Sequence, residues 1–307
     1  MQRLSSVLAI LAAILFVFSC SGGDSSKGYA HADKQAPAKS DDTVKPPAKP
    51  KARPKVEPDV KPKAKPEVKP EVKPEAKPAA DAKRKKAIAA LRNLAARLTL
   101  DHAGAVRGVE LSGPRITDAD LAPLAALPEI ESLQIKGGQV TDAGLVHLKG
   151  LGNLDKLYLE DLKLTDAGLA NLRNLDKLVV LMLRNTRISG AGLAHLKALG
   201  NLQVLNLSKN PVTDNALANL KGLAELNTLS LEGTKVTGAG LVHIKPLAKM
   251  RVLNLNQCAV TDRSLKHLQG LSNLRMLYLY DCGVSDDSIN QLQDEIPGLA
   301  VFYDEDM

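Results

Sequence analysis

One short pattern returns along most of this chain at a constant interval of 24 residues. The segment VTDAGLVHLKGL, which begins at Val140, reappears as LTDAGLANLRNL from Leu164 and as VTDNALANLKGL from Val212. The first apolar residue of each copy, here called the marker, falls at Ile116, Val140, Leu164, Ile188, Val212, Val236, Val260 and Val284. An active site is built once, whereas a repeat of fixed length predicts a solenoid of equal stacked units.

Each unit predicts a strand followed by a short helix. Alternating leucines before the marker, as at Leu157 and Leu159, indicate a short strand with one buried face. The Thr-Asp pair after the marker is typical of a helix N-terminus, where Thr is the N-cap and Asp faces the positive helix end. Leucines then recur at a spacing of three, which predicts an apolar stripe on a helix of about two turns. Gly190 and Gly238 replace the acid in two copies, a loss that a cap tolerates and a catalytic carboxylate would not.

The pattern LxxLxLxx(N/C/T)x(L/V) resembles the leucine-rich repeat and covers about residues 106–303. The form TDAGLxxLxxL is similar to bacterial leucine-rich-repeat proteins, and also to the repeats of F-box ubiquitin-ligase adaptors, although no F-box-sized helical domain precedes the array here. The resemblance implies an α/β solenoid, with a parallel sheet on its concave side and short helices outside. It also implies protein binding, without naming a ligand.

The first part of the chain predicts export and a lipid anchor. Residues 1–19 carry Arg3 and an apolar run, which is typical of a signal peptide. The sequence that ends at Cys20 resembles a bacterial lipobox, so Cys20 is the expected site of lipidation. The alternative is an ordinary signal peptide that is cleaved near a cysteine. We therefore expect a protein anchored by lipid at the bacterial cell envelope.

Residues 20–82 are predicted to be a disordered linker, because a proline recurs at every fourth position from Pro46 to Pro78. Residues 83–105 are predicted to form a capping helix and lead-in, with Ile88, Leu91, Leu94 and Leu98 on one face. The solenoid itself is expected over 106–303, and residues 304–307 form a tail.

The net charge of +7 is unevenly placed along the chain. Residues 21–86 hold 18 Lys or Arg against 10 Asp or Glu, whereas residues 87–307 hold 22 against 24. The basic excess therefore belongs to the linker, and export argues against a nucleic-acid partner. The linker is either a plain spacer or a segment that contacts anionic envelope polymer or lipid.

Residues that could form a chemical site also have structural explanations. His147, His195, His243 and His267 share one repeat position with Asn171 and Asn219, which favours a polar helix flank over a metal site. Cys258 and Cys282 lie at equivalent positions in adjacent coils, which favours stacked thiols and leaves a disulfide as the alternative. No phosphate loop or nucleophile-and-base cluster occurs, so we expect neither an enzyme nor a cofactor.

Two columns of strand residues are predicted to point away from the leucines and to form the concave face, below called the strand face. The first column is Glu110, Gln134, Tyr158, Met182, Asn206, Ser230, Asn254, Tyr278 and Phe302, and the second is Ser112, Lys136, Glu160, Arg184, Ser208, Glu232, Asn256 and Tyr280. Four of the five aromatic residues after Ala87 fall on these columns. Exposed aromatics with methionine are typical of interface hot spots.

We therefore predict that a protein partner binds Met276, Tyr278, Tyr280 and Phe302, with Tyr158, Met182 and Arg184 as a second group. The competing explanation is that tyrosine favours strands and that the last coil needs a cap. The sequence as a whole favours a monomeric, membrane-anchored binding module. The alternatives are an envelope-organising lipoprotein and an adhesin-like surface protein.

Overall fold

The computed structural model describes residues 76–304, so the predictions for the signal peptide, Cys20 and most of the linker lie outside the described residues. Ten strands form one sheet in sequence order. Their bounds are β1 Arg97–Leu100, β2 Val106–Ser112, β3 Ser132–Lys136, β4 Lys156–Glu160, β5 Val180–Met182, β6 Val204–Asn206, β7 Thr228–Ser230, β8 Val252–Asn254, β9 Met276–Tyr278 and β10 Ala300–Phe302.

The strands β2 to β10 are parallel, and each residue pairs with the residue 24 positions further along the chain. Leu133 pairs with Leu157, Leu157 with Leu181, and Leu181 with Leu205. These leucines are fully buried, in a core that continues through every coil. The predicted α/β repeat solenoid and its register are confirmed. A strict period of 24 residues places equivalent side chains next to one another in successive units.

The segments that return to the next strand are mostly 3-10 helices, where the sequence predicted a helix of about two turns without fixing its type. They span Asp118–Ala126, Gly144–Leu148, Gly168–Asn171, Ala191–Ala198, Ala218–Gly222 and Gly238–His243, with short α-helices at α2 Asp214–Leu217 and α3 Asp262–Leu265. A 3-10 helix has three residues per turn, so leucines spaced by three lie on one face. The spacing that predicted the apolar stripe therefore also explains the tighter helix. The last coil carries a longer helix, α4 Asp286–Glu295.

The N-terminal end of the core is covered by helix α1, Ala76–Asn93, and by strand β1. Leu91 is fully buried, and Ile88 and Leu94 pack against the core, as predicted. The predicted bounds were wrong at both ends: the helix begins at Ala76, within the segment predicted as linker, and Leu98 lies in β1, which pairs antiparallel with β2. No helix between residues 76 and 304 is both long and apolar enough to cross a membrane.

The Thr-Asp pairs link adjacent coils, which corrects part of the capping interpretation. The carboxylate of Asp142 accepts the backbone N–H of Thr165 at 2.8 Å and its hydroxyl at 2.5 Å. Asp214 accepts the same two groups of Thr237, both at 2.7 Å. The Thr237 hydroxyl also caps its own helix, but Thr213, which follows the Gly190 coil, makes no side-chain cap hydrogen bond. The acid therefore joins its coil to the next one.

At four junctions the space for the linking carboxylate comes from a glycine in the following coil. A Cβ atom at Gly240 would lie 2.4 Å from the Asp214 carboxylate, and one at Gly168 would lie 2.3 Å from that of Asp142. Where the acid is absent, the partner position is larger. A Cβ atom at Gly238 would lie 2.1 Å from the Cβ atom of Ser264. Acid and glycine, or glycine and a larger residue, are thus reciprocal choices at these junctions, whereas Asp262 is followed by Ser288 and still accepts the backbone N–H of Ser285 at 2.7 Å.

Candidate functional site

The first column of the strand face is aligned as the sequence predicted. Tyr158 pairs with Met182, Asn254 pairs with Tyr278, and Tyr278 pairs with Phe302. The rings of Tyr278 and Phe302 stack with centroids 4.7 Å apart and an interplanar angle of 11°. Stacked rings in neighbouring strands follow directly from a parallel register, because residues 24 apart stand side by side.

The C-terminal end of this face carries accessible aromatic surface. Tyr280 is 41% exposed and Phe302 is 38% exposed, while Met276 and Tyr278 are half-buried. The Tyr278 hydroxyl lies 3.7 Å from the Met276 sulfur atom. Burial, followed by the nearby Tyr280, raises the pKa of the Tyr278 phenol, so the ring stays neutral and can act as a hydrogen-bond donor at physiological pH.

The second predicted group lies deeper. Met182 is fully buried beside Val180 and Val204, with Tyr158 packed against them. This apolar cluster is separate from the leucine core. Arg184 is 9% exposed and forms an ion pair with Glu232 at 3.5 Å. The structure therefore places Met182 and Arg184 at sites with little accessible surface, whereas Tyr158 is half-buried.

Charged residues in the second column form a feature that the sequence reasoning missed. Lys136 lies 3.6 Å from Glu160, and Arg184 pairs with Glu232 two coils further on. Burial raises the pKa of Glu160, and Lys136 partly opposes this effect. The alternation of sign through Lys136, Glu160 and Arg184 was visible in the sequence. Two buried polar atoms of the strand face, Glu160 Oε2 and Asn254 Nδ2, lack a hydrogen-bond partner.

The cysteine ladder consists of thiols, as the sequence favoured. Cys258 and Cys282 are not disulfide-bonded. The Cys258 thiol donates to the Leu231 carbonyl at 3.1 Å, and the Cys282 thiol donates to the Leu255 carbonyl at 3.2 Å. Burial raises the pKa of Cys258 to about 11, so this thiol stays protonated and unreactive.

The ladder position that holds these thiols is an intercoil hydrogen-bonding site. In an earlier coil the same position is Asn210, which is 2% exposed. Its Nδ2 group donates to the carbonyls of Leu183 and Leu207, at 2.6 and 3.1 Å. Cysteine at this position therefore continues a structural role that asparagine and threonine fill elsewhere.

The histidine column lies on the helix side of the solenoid. At the equivalent positions Asn171 donates to the Gly168 carbonyl at 3.2 Å, and Asn219 donates to that of Gly190 at 3.5 Å. Among residues 76–304 no three His, Cys, Asp or Glu side chains are grouped so that they could hold a metal ion. His267 instead lines a shallow cleft of about 340 Å³ together with Thr237, Thr261, Arg263 and Lys266.

Comparison with known proteins agrees with this fold. No protein-family model matches the chain, and no curated protein sequence matches it significantly. Internalin C2 from Listeria monocytogenes is 26% identical, and the match covers 65% of this chain and 81% of that protein with a TM-score of 0.54. A leucine-rich-repeat protein of Leptospira interrogans is 20% identical over 62% of this chain and 52% of its own, with a TM-score of 0.46. The chain is a leucine-rich-repeat protein by fold.

Proposed function

We propose that this leucine-rich-repeat protein binds another protein through the C-terminal end of its strand face. The observation that carries this proposal is the concentration of accessible aromatic surface at Tyr278, Tyr280 and Phe302, in a domain with only five aromatic residues after Ala87. An aromatic side chain buries about 150–250 Å² on binding, and such residues dominate interface energetics. The small polar residues of the middle coils, such as Ser208 and Ser230, offer much less.

The rigid repeat array supports the same proposal. Tyr278 and Phe302 are held in neighbouring strands by backbone pairing, and their stacked rings need little further ordering when a partner binds. Preorganised aromatic groups lose less conformational entropy than mobile ones, which leaves more of the contact free energy for affinity.

Affinity capture with the full chain tests this proposal. We expect the Tyr278→Ser, Tyr280→Ser double variant to retain at most about a tenth of the parent affinity for the captured protein. A matched control is the Val146→Ser, Val242→Ser variant, since these valines are 46% and 47% exposed on the helix side. The control should bind like the parent. Equal binding by the tyrosine variant and the parent would assign these rings to capping of the last coil.

We further propose that the protein acts outside the cytoplasm, attached to the cell envelope through lipid on Cys20. The apolar run within residues 1–19 and the lipobox-like sequence before Cys20 support this proposal. The segment between Cys20 and helix α1, which begins at Ala76, would then separate the solenoid from the membrane. Mass spectrometry of the mature N-terminus should find a lipidated Cys20, and an unmodified N-terminal peptide that begins elsewhere would refute the anchor.

A further inference from the structure

The strand face holds a buried hydrogen-bond donor that nothing in the described part of the chain satisfies. Asn254 is 1% exposed, and its Oδ1 atom accepts the backbone N–H of Asn256 at 2.9 Å. Its Nδ2 group has no partner. Buried polar groups are almost always hydrogen-bonded, so an orphan donor on a candidate binding face indicates a missing acceptor.

This donor lies beside the aromatic end of the face. Asn254 pairs in register with Tyr278, and Tyr278 with Phe302, so the three side chains occupy consecutive strands. Neighbouring strands are about 4.8 Å apart, which puts the amide within roughly 10 Å of both rings. A single extended segment therefore has the reach to contact all three.

The same end of the solenoid is strongly acidic. Six Asp or Glu residues and no Lys or Arg occur from Met276 to Asp304; four of these acids belong to helix α4, whereas Asp281 and Asp304 follow strands β9 and β10. Two of these acids are held together, because the Asp281 backbone N–H donates to Asp304 Oδ2 at 2.6 Å. Asp281 follows the exposed Tyr280 directly. No lysine or arginine among residues 76–304 forms an ion pair with either of these two carboxylates.

We propose that this end of the strand face binds an extended polypeptide segment that carries lysine or arginine. A backbone carbonyl of the segment accepts a hydrogen bond from Asn254 Nδ2. An apolar side chain of the segment packs on the Tyr278 and Phe302 rings, and a cationic side chain lies against Asp281 and Asp304. The inference rests on the proposed function and adds the chemistry of the partner. Electrostatic complementarity of this kind gives specificity and speeds association.

Fluorescence anisotropy with three labelled peptides tests the inference on the full chain. The first peptide is built of Val-Lys-Pro triplets, which proline keeps extended, and the other two carry Gln or Glu in place of Lys. We expect the lysine peptide to bind about tenfold more tightly than the glutamine peptide at low salt, and the glutamate peptide to bind least. The preference should shrink as salt screens the carboxylates. Equal binding of the lysine and glutamine peptides would overturn the inference without any variant being made.

Two variants locate the contacts. Asp281→Asn with Asp304→Asn should remove most of the preference for lysine over glutamine. Asn254→Ala should weaken both peptides by at least about threefold. Asn206→Ala is its matched control, because Asn206 Oδ1 accepts the Ser208 backbone N–H at 2.8 Å in the same arrangement two strands away. Equal effects of the two asparagine variants would count against a contact at Asn254.

The two proposals fail in different ways. Capture that depends on Tyr278 and Tyr280, with no discrimination among the peptides, would leave the protein-binding function standing and refute the basic partner. Capture that is indifferent to both tyrosines would refute the proposed function itself.

Discussion

The reciprocal packing of adjacent coils predicts that two destabilising substitutions compensate each other. Gly238→Asp alone should be destabilising by about 2 kcal/mol or more, because its Cβ atom would meet the Cβ atom of Ser264 at 2.1 Å. Ser264→Gly alone should cost about 1–2 kcal/mol, since Ser264 Oγ accepts the Thr261 backbone N–H at 2.9 Å and glycine loses more chain entropy on folding.

The double variant recreates the junction found between Asp214, Thr237 and Gly240. Its new carboxylate would accept both the N–H and the hydroxyl of Thr261, as Asp214 does for Thr237 at 2.7 Å. We therefore expect the free energy of unfolding of the double variant to lie within about 1 kcal/mol of the parent, which means a coupling energy of about 2 kcal/mol or more.

Urea melts followed by circular dichroism measure all three variants, with unchanged m-values as the check that unfolding stays comparable. The reverse exchange, Asp214→Gly with Gly240→Ser, is the matched control and should show coupling of the same sign. If the two single losses simply add in the double variant, the intercoil role of the carboxylate is refuted.

Three further predictions follow from the core and the titrating groups. In the same melts Leu205→Ala should lower the free energy of unfolding by about 2–5 kcal/mol, because Leu205 is fully buried. Thr213→Ala should lower it by less than about 1 kcal/mol, because Thr213 makes no cap hydrogen bond. Equal losses in the two variants would contradict both placements. Native alkylation at pH 8 followed by mass spectrometry should modify the half-buried Cys282 before Cys258, whose pKa is raised to about 11, and the opposite order would count against the burial of Cys258. Hydrogen bonds from Ser285 lower the pKa of Asp262 in the folded protein. The stabilisation by the Asp262 carboxylate is therefore present above the unfolded pKa of about 3.9, and it is lost as the pH falls through the folded pKa. Asp262→Asn should reduce this loss of stability at acid pH, and an unchanged dependence on pH would contradict the contact with Ser285.

The repeat period alone predicted the register of the sheet. Because each copy has the same length, Leu157 had to stand beside Leu133, and Tyr278 beside Asn254, whatever the details of the return segments. The antiparallel strand β1 was missed because RLTL was interpreted as the end of a helix. Asp101 was a turn signal in the sequence, because aspartate side chains often hydrogen-bond to the backbone a few residues further on. In the structure Asp101 Oδ1 accepts hydrogen bonds from the backbone N–H groups of Ala103 and Ala105.

The intercoil role of the aspartates was also readable in principle. Four of the copies with Asp two residues after the marker are followed by a copy with glycine at marker plus four, as in Asp142 and Gly168, whereas Asp262 is followed by Ser288. The Thr-Asp pair of each copy was interpreted only as the cap of its own helix. The relation between the aspartate of one copy and the small residue of the next was therefore missed. The reason is physical: the first helical turn of one coil packs directly on that of the next.

The candidate site was only partly predictable. The alternation of leucines with other residues in each strand located the aromatic column, because successive side chains of a strand point to opposite faces of the sheet. The orphan donor could not be found from sequence, since Asn254 and Asn206 share the context VLNL. The burial of Met182 was also missed, because the two columns of the strand face do not include Val180 and Val204, which pack beside it.

Site-specific photo-crosslinking tests the central claim, that the protein binds a partner at the C-terminal end of the strand face. A benzophenone amino acid placed at Phe302, which is 38% exposed, should form an adduct with a discrete protein in cells that produce the full chain. The same group at Val242, which is 47% exposed on the helix side, should not form it. An adduct from Val242 with none from Phe302 would place the binding surface on the helices and contradict the account.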